Sequence, residues 1–80
     1  MSFVEKIQNS LGELVYLVHG KDKGKDAWHY LLVDKLKLAI FLQDVKSGKL
    51  DVTNYGVVLY SGWGENPPQH IIDEVKAKYS

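Results

Sequence analysis

Ten lysines balance ten acidic residues over 80 positions, and the chain has neither arginine nor cysteine. That length holds one domain, residues 1–80, and the absent cysteines exclude disulfides, thiolate chemistry and cysteine-held zinc. Without arginine the forked contact that reads guanine or clamps phosphate is missing, so sequence-specific DNA reading is disfavoured.

Apolar residues at 45% and charged residues at 25% belong to a folded chain rather than a disordered one. The first ten residues, MSFVEKIQNS, lack the cationic start and apolar run of a secretory signal. The longest apolar stretch, Leu38 to Leu42, is five residues, whereas a membrane span needs about 20. These features, with the missing cysteines, lead us to expect a cytoplasmic protein that does not enter membranes.

Residues 2–11 read as a helix. Ser2 and Glu5 have capping-box spacing, Phe3, Ile7 and Leu11 fall at i, i+4 and i+8, and Gly12 offers a left-handed stop. Glu13 to His19 and Ala27 to Val33 read as strands, rich in valine, leucine and aromatics. The polar stretch Gly20 to Asp26 between them makes an antiparallel hairpin with a long, exposed loop.

Leu36, Leu38, Ile40 and Leu42 alternate as a strand would, but Leu38, Leu42 and Val45 also fit a helical face joined by Phe41. The helix formers here, and the stop at Lys46-Ser47-Gly48, predict a helix from Asp34 or Lys35 to Ser47. Residues 51–61 fit a third strand through Val57 to Tyr60, or a helix through Val52, Tyr55 and Leu59. Gly56 would cost that helix about 1 kcal/mol, so strand is favoured. A last helix is expected from Pro67 to about Lys78, with Asn66 as cap, Pro67 in the first turn and Gln69 at the capping-box position.

No motif names a reaction. Gly20 to Asp26 fails as a phosphate loop, because three residues rather than four separate its glycines and Asp26 follows Lys25 where a hydroxyl belongs. His19 and His29, on neighbouring strands, would need Asp22 or Asp26 to hold zinc, and no spacing fixes that geometry. Residues 44–56 place Lys46 and Gly48 where a calcium loop needs oxygen ligands. Ser61 has no nucleophile-elbow sequence around it, so Ser61, His70 and Asp73 form a triad only on paper. No catalytic residue, metal site or cofactor is expected.

The segment from Tyr60 to Pro68 carries the strongest signal for binding. Gly62 and Gly64 bracket Trp63 in a bent backbone that runs through Asn66 into a helix start. Trp63 is either an exposed anchor at an interface, with Tyr60, Gly62, Gly64 and Asn66 around it, or a plug beneath the last helix.

Together these readings predict an α+β fold, a small antiparallel sheet of two or three strands packed against three or four helices. The expected function is a non-catalytic protein-interaction or regulatory module whose partner is another protein or a second copy. The alternative is weak binding of nucleic acid or another polyanion through Lys21, Lys23 and Lys25, with Trp28 or Tyr30 stacking.

Overall fold

The computed structural model describes residues 3–79, with Phe3 as backbone only. Four strands form one antiparallel sheet in the order β1-β2-β3-β4: Phe3–Lys6, Val15–Asp22, Lys25–Val33 and Gly56–Trp63. Helix α1, Leu38–Ser47, connects β3 to β4, and helix α2, Gln69–Tyr79, follows β4.

The sheet has four strands rather than two or three, and two helices among the described residues rather than three or four. The main correction lies at the N-terminus, where the expected helix over 2–11 is strand β1 and a loop. Phe3 to Lys6 pair with His19 to Tyr16. The apparent helical stripe is divided between surfaces: Val4 packs on one side of the sheet, Ile7 on the other, and Leu11 is exposed. Asn9 then fixes the turn, donating to the carbonyls of Ile7 and Glu13 and accepting from the Glu13 N–H. Ser2, half of the expected capping box, lies outside the described residues.

The hairpin between β2 and β3 is tighter than its polar sequence implies. The ladder continues to Asp22 opposite Lys25 and closes through Lys23 and Gly24 alone, both at positive φ. That is the backbone of a two-residue turn matched to strand twist.

Alternation along β2 and β3 buries both sides of the sheet. Val15, Leu17, Trp28 and Tyr30 face α2 and pack with Val75 and Tyr79. Tyr16, Val18, Leu31 and Val33 face α1 and pack with Phe41 and Tyr55. Such doubly covered central strands read as nearly continuous apolar runs, as these two do. The rings of Tyr16 and Tyr55 meet Phe41 edge-on at 5.1 and 5.4 Å.

Helix α1 is entered through a 3-10 turn over Lys35–Lys37, where the Asp34 carboxylate accepts from the Leu36 N–H. It ends on Gly48 in the left-handed conformation. The return to the sheet is tied down by Tyr55, whose phenol donates to Asp44 at 2.6 Å and accepts from the Asp51 N–H. Burial and the Asp44 carboxylate raise the pKa of that phenol, so it stays a donor at ordinary pH.

Helix α2 begins two residues later than the sequence suggested. The Pro68 carbonyl accepts the first helical bonds, from Ile71 and Ile72, while Pro67 is buried. Gln69 bonds forward to Asp73 instead of capping. The helix starts beyond the Trp63 end of β4, and the Tyr79 carbonyl accepts from Ser10 between β1 and β2. It therefore crosses the sheet diagonally. No described helix is long and apolar enough to cross a membrane.

Candidate functional site

The crossover through α1 returns the chain to the outside of β3, which makes β4 an edge strand. Val57 is 60% exposed and Trp63 61% exposed, at opposite ends of β4, with Val58 partly exposed beside Val57. From Val52 to Gly64 there are 13 residues without a charge. Exposed edges are usually short, guarded by charge or twisted by a bulge, because their free N–H and C=O groups invite pairing with another strand. The other edge, β1, follows that practice: it has four residues, two of them Glu5 and Lys6. Strand β4 has eight residues and no charge.

One irregularity interrupts β4. Tyr30 pairs with Tyr60 and Leu31 with Val58, which leaves Leu59 as a bulge. Bulges increase local twist and re-aim the side chains on either side.

The five residues expected around a binding loop do not share one surface. Trp63 stands opposite Ala27 on the α1 side, whereas Tyr60 stands opposite Tyr30 on the α2 side. Tyr60 is half-buried against Tyr30, ring centroids 6.4 Å apart, and packs with the α2 core. Its phenol pKa is raised by desolvation and by the neighbouring Glu74 carboxylate.

Gly62 serves the core. A Cβ there would lie 2.4 Å from Cζ2 of the buried Trp28 ring, so glycine is what lets the indole lie across β4. Gly64 has φ +110° and donates to the Asp26 carbonyl at 2.8 Å, turning the chain away from the sheet. Asn66 is exposed beside an open cleft of about 370 Å³, lined also by His19, Lys21, Asp26 and Glu65. The Nδ1 atom of the buried His19 lies 2.9 Å from the Glu65 carbonyl, which ties this loop to β2.

Trp63 is thus not a plug under α2; Trp28, 4% exposed, is the tryptophan in the core.

The histidines are separated by strand alternation. His19 stands opposite Trp28, and His29 stands opposite Val18, so their side chains leave opposite faces of the sheet and cannot share an ion. No cluster of three or more histidine, cysteine or carboxylate residues suited to a metal occurs among the described residues. The same alternation dismantles the paper triad. Ser61 faces the α1 side with His29, while His70 and Asp73 ride on α2 across the sheet.

The three hairpin lysines also diverge. Lys21 pairs with Asp26 at 3.2 Å, Lys25 lies opposite Asp22 on the other face, and Lys23 occupies the turn. Acids alternate with the lysines, so no continuous basic track forms for a phosphate backbone to follow.

Beside Trp63 a smaller depression of about 140 Å³ is lined by Asp22, Ala27, His29 and Ser61. Burial lowers the pKa of His29 below its ordinary 6.5, partly opposed by the Asp22 charge. The folded protein therefore binds this proton more weakly than the unfolded chain. The stability linked to neutral His29 is present above pH 6.5 and is lost as the pH drops from there toward the folded-state pKa. We expect His29→Gln to flatten that part of the pH–stability curve, as measured by urea unfolding. An unchanged slope would show that His29 titrates as it does in the unfolded chain.

Comparison with protein-family models, with curated proteins and with solved structures finds no match.

Sequence reasoning singled out Trp63 but missed Val57, Val58 and the edge they share with it. A signal was present: the uncharged run from Val52 to Gly64 in a chain that is one-quarter charged. Its meaning depended on β4 being an edge, and edge position is a property of topology.

Proposed function

We propose that this chain is a non-catalytic protein-interaction module that takes its partner along the open edge of β4, with Trp63 as the anchoring side chain. The observation that carries this reading is a tryptophan 61% exposed at the end of an uncharged eight-residue edge strand. Strand addition uses such an edge: main-chain hydrogen bonds supply affinity, and side chains at alternate positions supply selectivity. Tryptophan is favoured among the few residues that dominate interface energies. The dispersal of serine, histidine and carboxylate groups over two faces of the sheet supports a binding role over a catalytic one.

The test is Trp63→Ala. Most of the side chain is exposed, so the stability read from unfolding followed by circular dichroism should change by less than about 2 kcal/mol. Binding to the protein partner should weaken by roughly tenfold or more, the loss expected at an interface hot spot. A variant that binds as tightly as the parent would refute the assignment of Trp63.

A further inference from the structure

We propose that the partner at the β4 edge is a second copy of this chain, joined β4 to β4 in an antiparallel pair that makes one continuous sheet with four strands from each copy. This inference rests on the interaction reading above and names its occupant. The first support is charge. Between Asp51 and Glu65 the chain offers no charged group, so a strongly acidic or basic partner strand finds nothing to neutralise it at this edge. With no charge of its own to offer, the edge favours an uncharged segment, and its own copy is one.

The second support is closure. Two β4 edges related by a two-fold axis use the same surface twice and complete the assembly. Pairing β4 with β1 would instead be head-to-tail and could repeat without end. Strand β1 resists that use, because it pairs over only four residues and carries Glu5 and Lys6. The two edges thus differ in the way a closed dimer requires: one short and charged, one long and uncharged.

The third support is the placement of three exposed apolar groups. Val57, Val58 and Trp63 belong to this one edge strand, at its two ends, whereas Leu11, Leu36, Ile40 and Leu42 are exposed elsewhere. An antiparallel copy brings the Trp63 end of one strand toward the Val57 end of the other. Each exposed tryptophan then approaches Val58 of the other copy, which stands on the same face of the sheet, while Val57 stands on the opposite face.

The experiment is sedimentation equilibrium across a wide range of protein concentration, on the parent chain, Val57→Lys and Trp63→Ala. The parent should move from 9.1 kDa toward twice that mass as concentration rises. Both variants should stay at the monomer mass with unchanged circular dichroism, because both positions are exposed in the single chain. Val57→Thr keeps a β-branched, uncharged side chain and should retain the dimer. A parent chain that stays at 9.1 kDa while another protein binds it through Trp63 overturns self-pairing and leaves the interaction reading in place. A chain that stays monomeric and binds nothing through Trp63 overturns both. A dimer unaffected by Val57→Lys places the contact elsewhere and overturns this proposal alone.

Discussion

Phe41→Ala should destabilise the protein by about 3–5 kcal/mol, the usual cost of deleting a buried aromatic ring. Phe41 is wholly buried and is the only fully buried residue that α1 contributes to the sheet. Its ring meets Tyr16 on β2 and Tyr55 before β4, so one side chain joins helix, sheet centre and the approach to the edge strand. A chain of this length has a total stability of about 4–12 kcal/mol, so the loss would take a large share of it. The variant should unfold at much lower urea, with β4 losing its support as well as α1. A loss below about 1 kcal/mol would mean that the α1 layer is not held by this ring.

Gly56→Ala should be nearly as severe, about 3 kcal/mol or more, through overpacking against backbone. A Cβ at Gly56 would lie 2.0 Å from the Leu32 carbonyl oxygen and 3.1 Å from the Asp34 nitrogen. Neither atom can step aside without opening the first rungs of the β3–β4 ladder, where Gly56 pairs with Val33. The hydrogen bond from Asp34 N–H to the Tyr55 carbonyl would be disturbed as well. Urea unfolding measures the loss, and hydrogen exchange should show β4 opening while the β2–β3 hairpin stays protected. A stable variant with an intact ladder would mean that β4 enters the sheet by a different path.

These two positions also show where sequence reading succeeds and where it stops. The sequence places Phe41 beside a helical face of Leu38, Leu42 and Val45; Leu38, Phe41 and Val45 pack toward the sheet, whereas Leu42 is exposed. The alternation of Leu36, Leu38, Ile40 and Leu42 in the same segment is a false strand signal: Leu38 packs on the core while the other three are exposed. Gly56 looks like a liability in a helix, and the strand reading it favours holds from Gly56 onward, while Val52–Asn54 form a 3-10 turn. Its need for glycine comes from Leu32, far away in sequence, and no local pattern reports that.

The N-terminal segment failed for a related reason. Val4 and Ile7 look like neighbours on one helical face, yet they serve two cores on opposite sides of a sheet. Pairing with β2 outweighs local helix preference, which is worth only tenths of a kcal/mol per residue. The sequence places the hairpin turn correctly but makes it too long, because Lys21 and Asp26 look like loop residues until they face each other across a ladder. For Trp63, composition alone left plug and anchor open. The deciding fact is that Trp28 already fills the space over Gly62 on the α2 side, while alternation turns Trp63 the other way.

The docking role of β4 is tested most directly by amide hydrogen exchange on the assembled protein, compared with the same chain diluted to its unassembled form. The account predicts that assembly slows exchange along Gly56–Trp63, at the amides that point away from β3. Phe3–Lys6 at the opposite edge should exchange alike in both forms. Slowed exchange confined to β1, to α1 or to the Lys23–Gly24 turn, with β4 exchanging freely throughout, would contradict it.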